Sequence, residues 1–119
     1  TSYLENRDNH NMAYNLTFDL VKKNPDIKGI FVTNASSPGA AEALEDLKMD
    51  GEIRLIGFDV TENIVKYLQK NVIYATISQE PFNQGYQAIN CMFSHLLENE
   101  SLEEENILTN PKPVFRENL

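Results

Sequence analysis

Along the chain, apolar stripes at helical spacing alternate with short continuous apolar runs. "MAYNLTFDLVKK", Met12 to Lys23, sets Met12, Leu16 and Leu20 four residues apart, the spacing of one helix face. "NPD" ends that pattern, because Pro25 disfavours helical backbone at Asn24. "GIFVT", Gly29 to Thr33, is continuously apolar and β-branched, as expected of a strand covered on both faces. "SSPGAAEALEDLK" then predicts a helix with Ser37 as cap, Pro38 in the first turn and an inward stripe of Ala40, Leu44 and Leu47. "IRLIGF" is the next strand, and "TENIVKYLQ" the next helix, with Thr61 as cap and Glu62 in its first turn. "VIYATI", Val72 to Ile77, is a third strand, followed by a long helix over 81–98 that opens at Pro81. Its stripe of Phe82, Tyr86, Ile89, Phe93 and Leu96 is the most regular apolar pattern in the chain. The acidic "ENESLEEEN" reads as a solvated linker, Pro113 to Arg116 as a short extended segment, and "YLEN" near the start as a further strand.

Strands alternating with helices predict an α/β fold, a parallel sheet flanked by helices. Right-handed crossovers align the C-terminal ends of the strands along one edge, and ligands of open α/β sheets bind beyond that edge. The residues that directly follow the strands are Asn34, Asp59 and Gln79. A carboxylate with two amides suits a ligand presenting neighbouring hydroxyls, since each group makes directed hydrogen bonds. Each also has a purely structural reading: a turn amide for Asn34, a helix cap for Asp59, a strand-end residue for Gln79. Phe58 and Phe82 adjoin these positions and read mainly as core, with stacking on a sugar face as the alternative.

Composition narrows the chemistry. At 119 residues the chain is one domain at most. A net charge of −8 with scattered lysines and arginines argues against nucleic-acid contact by this segment. One cysteine, Cys91, makes neither an internal disulfide nor a zinc site alone, so no metal is expected. Glycine-rich phosphate loops are absent, no cofactor is predicted, and no apolar run is long enough to span a membrane. His10, read as preceding the first helix, and His95 have no evident nucleophile or metal partner, so no catalytic residue is assigned and no enzyme is expected. A signalling receiver domain would need clustered acids after its first strand and a late lysine, and neither arrangement is clear. Thr1 is not an initiator methionine and no secretion signal is visible, so the expectation is a cut or processed chain.

"GIFVTNASSPGAAEAL", "IRLIGFDVTEN" and "YATISQEPFNQGYQAI", in this order and ending in "PVFRENL", resemble the C-terminal half of LacI/GalR-type transcription regulators. That resemblance implies the type I periplasmic sugar-binding-protein fold, with most of one lobe of a bilobal effector domain present. It implies ligand contacts from Asn34, Asp59 and Gln79, the residues already found at the strand ends. Ala35 departs from the family pattern, where Asp is frequent, which bears on sugar preference. Residues 1–119 would then be a partial effector-binding domain whose helix 81–98 packs on the other lobe. The implied protein is cytoplasmic, senses a sugar-like effector and reaches DNA only through an N-terminal helix-turn-helix outside this sequence. The apolar face of helix 81–98, left uncovered, predicts self-association as a homodimer. The alternative is an exported sugar-binding protein, or a receptor sensor domain, of the same fold.

Overall fold

The computed structural model describes residues 2–97 and 107–119. In chain order the elements are α1 (His10–Lys23), β1 (Gly29–Phe31), α2 (Ser37–Asp46), β2 (Arg54–Phe58), α3 (Glu62–Gln69), β3 (Ile73–Ser78), α4 (Pro81–Leu97) and β4 (Lys112–Val114), with a closing 3-10 turn at Arg116–Asn118. The four strands form one sheet in the order β1-β2-β3-β4, with β1, β2 and β3 mutually parallel. The fold is the α/β arrangement that the alternation predicts. The chain divides into two compact units, residues 1–77 with 113–119, and residues 78–112.

In the first unit, Leu44, Ile53, Leu55, Ile64, Leu68 and Ile73 are fully buried and join α2, α3 and the sheet into one core. The stripe expected on α2 faces inward, with Ala40 and Leu44 buried and Leu47 packed at the margin. α3 behaves as its sequence predicts: the Thr61 side chain accepts from the Ile64 amide, and Ile64 and Leu68 point inward. It ends as the Asn71 amide bonds the Leu68 carbonyl and the Val72 amide that of Tyr67. Asn71 takes the left-handed backbone, φ 63°, which this exit requires.

Several local expectations are corrected. α1 starts two residues earlier than Met12, because the Asn9 side chain accepts from the Met12 amide and caps it. Its buried residues are Ala13, Thr17 and Val21, one position along from the expected Met12, Leu16 and Leu20. The reason is the crossing with α2, so close that a Cβ on Gly39 would lie 2.2 Å from the His10 carbonyl oxygen. Small side chains are selected there, and Leu16 and Leu20 are displaced to the flank, half-buried. Ser37 is not the cap of α2 but its first residue, following Ser36 at the cap position. The Tyr3–Asn6 segment carries no strand; Asn6 instead begins a turn, its Oδ1 accepting from the Asp8 amide at 3.0 Å, with Arg7 and Asp8 both at φ 51°. The last strand ends at Val114, because Asn118 Oδ1 accepts from the Phe115 amide at 2.7 Å and turns the backbone.

In the second unit, α4 buries none of its residues. Phe82, Tyr86, Ile89, Phe93 and Leu96 are 87, 61, 67, 51 and 65% exposed. The expected acidic linker at 98–106 lies outside the described residues.

Candidate functional site

Asn34 and Asp59 follow the adjacent parallel strands β1 and β2 and stand at the same, C-terminal, edge of the first unit. The Asn34 side chain makes hydrogen bonds at both ends of its amide. Its Nδ2 donates to Asn6 Oδ1 at 2.6 Å, and its Oδ1 accepts from the Ser36 amide at 3.2 Å and the Ser36 hydroxyl at 2.5 Å. It therefore serves as a turn amide that also ties the segment before α1 to the β1–α2 loop. The second Nδ2 hydrogen and the half-buried position leave it able to donate once more. Asn6 is not legible as a partner from the sequence, since the Asn34–Asn6 bond spans 28 residues, whereas Ser36, two residues on, fits the turn-amide reading.

Asp59 has a more unusual backbone. Its φ is 70°, left-handed for a residue with a side chain, a region that Asp tolerates better than most. Its amide donates to the Ile77 carbonyl at 2.8 Å, and its own carbonyl accepts from the Thr76 hydroxyl at 2.7 Å. The N-cap of α3 is Thr61, so Asp59 does not hold that role. Its side chain is a half-buried carboxylate presented where the strand ends.

Gln79 directly follows β3 and belongs to the second unit. Its carbonyl accepts from Gln84 Nε2 at 2.9 Å, and Gln84 Nε2 also lies 3.5 Å from Thr109 Oγ1. Glu80, at φ 54°, turns the chain into α4 and pairs with Lys112. Within the second unit, Gln84 and Glu80, near Gln79 in the chain, contact Thr109 and Lys112 respectively. Of the neighbouring aromatics, Phe58 is half-buried at the end of β2 and Phe82 is exposed on α4.

His10 departs from its expected position: it is the first residue of α1, with Nε2 2.8 Å from Glu42 Oε2 on α2. Beside it the Tyr14 hydroxyl donates to Asp46 at 2.7 Å, and this bond, with the nearby negative charge, raises the tyrosine pKa above its ordinary value near 10. Both pairs join α1 to α2 at the surface. Among the described residues no group of three His, Cys, Asp or Glu is arranged to hold a metal, and no helix is long and apolar enough to cross a membrane.

Residues 1–100 match the model of the periplasmic binding protein domain. A sugar-binding protein of a sugar ABC transporter from Bacillus halodurans is 28% identical over 95% of the chain, with a TM-score of 0.81. A glucose-galactose binding protein from Geobacillus stearothermophilus is 26% identical over 97%, with a TM-score of 0.87. An ABC transporter solute-binding protein from Agrobacterium vitis, solved with α-D-tagatopyranose, shares the fold at a TM-score of 0.90 over 99% of the chain, at 24% identity. The chain spans 42, 41 and 39% of the length of these three. No curated protein sequence matches it. The α/β sheet is part of one lobe of the type I fold, and the chain belongs to the periplasmic binding protein domain family.

Proposed function

We propose that this chain is the larger part of one lobe of a sugar-binding protein of the solute-uptake kind, and that it binds without chemical turnover. One observation carries the reading: Asp59 stands at the C-terminal end of β2 on a left-handed backbone, with the capping of α3 left to Thr61. A carboxylate so placed can hold two sugar hydroxyls through charge-assisted hydrogen bonds, each worth about 1.5–3 kcal/mol. Asn34 and Gln79 add amide contacts, and Phe58 and Phe82 are the candidates for stacking on a sugar face. The relatives at 26 and 28% identity are sugar-binding proteins, which supports this reading over the regulator implied by the sequence resemblance. In this reading the protein is exported, and the exposed face of α4 is covered by the second lobe.

The decisive experiment is calorimetry of the complete protein against D-glucose, D-galactose and their epimers. Asp59→Ala should abolish binding with little loss of fold, and Asn34→Ala and Gln79→Ala should weaken it less, since a neutral hydrogen bond is worth about 1 kcal/mol net. Unchanged affinity in Asp59→Ala overturns the assignment.

A second reading, the effector domain of a LacI-type regulator, is favoured by the ordered "GFDVTEN", "TISQEP" and "PVFRENL". It carries the cytoplasmic location, the homodimer and the DNA contact through an upstream domain. Upstream sequence separates the two, a helix-turn-helix against a signal peptide.

A further inference from the structure

We infer that Thr76 is a positioning residue that sets the direction of the Asp59 carboxylate, and that a one-residue bulge at Tyr74 is what brings it there. The inference rests on the reading of Asp59 as a sugar ligand. The pairing of β2 with β3 shifts register between Leu55, which faces Ile73, and Ile56, which faces Ala75. Tyr74 is the extra residue. Beyond it Gly57 pairs with Thr76 and Phe58 with Ile77. Without the bulge Thr76 would stand opposite Phe58, because a slip of one residue transfers every later side chain to the other face.

With the bulge in place, Thr76 shares a face with Gly57 and is fully buried there. A Cβ built on Gly57 would fall 3.2 Å from the Thr76 hydroxyl, 2.8 Å from the Ser37 hydroxyl and 3.1 Å from the Ser37 Cβ. Glycine therefore makes the room in which Thr76 and the first residue of α2 meet β2. From this position the Thr76 hydroxyl donates to the Asp59 carbonyl at 2.7 Å, while the Asp59 amide bonds the Ile77 carbonyl at 2.8 Å. Both bonds pull on the peptide groups flanking the one residue whose φ, 70°, is left-handed in this turn. They oppose its relaxation to negative φ, which would swing the carboxylate away from its present direction.

The test uses the complete protein, D-galactose and D-glucose as probes, and four variants. Thr76→Val keeps the shape and removes the donor; Thr76→Ala repeats the comparison if valine impairs folding; Thr76→Ser keeps the donor; Asp59→Ala removes the ligand group. The direct readout is the strong intraresidue amide-to-Hα Overhauser contact that positive φ produces at Asp59. Expected are loss of that contact and at least a tenfold loss of affinity in Thr76→Val, with both retained within threefold in Thr76→Ser. Parent affinity and an intact contact in the valine and alanine variants overturn the inference, as does a loss in serine equal to that in valine. If Asp59→Ala binds like the parent, the sugar reading of Asp59 fails. The Overhauser contact alone then decides the role of Thr76, which is upheld by its loss in the valine variant and overturned by its persistence.

Discussion

α3 and α4 are both amphipathic, capable of hiding one apolar stripe, and the structure treats them in opposite ways. The eight residues of α3 place Ile64 and Leu68 in the core with no exposure, and both helix ends are closed by local hydrogen bonds. The seventeen residues of α4 carry the longer stripe and bury nothing. An apolar face states that cover is required; it does not state where the cover comes from. For α3 the core of its own unit, shared with α2 and the sheet, supplies it. For α4, monomers rarely leave so large a face in water, and the proposed cover is the second lobe.

Substitutions on the two helices test the contrast. Leu68→Ala should cost about 2–5 kcal/mol, the ordinary range for emptying a fully buried leucine site. Ile89→Ala, on α4, should change the stability of the 119-residue chain by no more than about 0.5 kcal/mol. Equal costs in chemical denaturation would mean that α4 has found cover within the chain. Next in size is association. The 119-residue chain should self-associate at micromolar concentration in sedimentation, and Phe93→Glu should reduce this. A clean monomer whose glutamate variant is equally stable and soluble would show that the face needs no partner.

Smaller effects probe how α3 is held. Thr61→Ala removes the cap that accepts from the Ile64 amide and should lower the unfolding free energy by about 1 kcal/mol. No loss would shift the start of α3 to another group, with Asp59 the first to examine. The smallest effect is at the surface between α1 and α2. Tyr14 should titrate above the ordinary phenol value near 10, and Asp46→Asn should bring it down, as followed by phenolate absorbance. A raised folded-state value means that this stabilisation is fully present below pH 10 and is lost as pH rises through the folded-state value. A stability difference between parent and Asp46→Asn that persists unchanged well above that range would contradict the linkage.

The uptake and regulator readings divide along the same line. The motifs at the strand ends describe a lobe of the type I fold, and that lobe serves both readings. The chain spans about 40% of the length of its structural relatives, and both readings concern a whole protein of that kind.

What the sequence determined by itself is local. Apolar stripes at helical spacing and short continuous apolar runs marked each of the four helices and three of the strands to within a few residues, because both follow from local sequence alone. Thr61 could be named as a cap because its partner, the Ile64 amide, is three residues away. Strand ends could be read off as Asn34, Asp59 and Gln79, since parallel order follows from the alternation. Tertiary structure decided the rest. Ala13 and not Met12 faces inward because Gly39, from another helix, comes so close. Asn34 is bound to Asn6 because a turn 28 residues earlier offers its oxygen. Gly57 must be glycine because Ser37 occupies the space where its Cβ would be, and Thr76 reaches Asp59 because the sheet slips one residue at Tyr74. Each of these depends on the distance between groups remote in sequence, and only folding sets that distance.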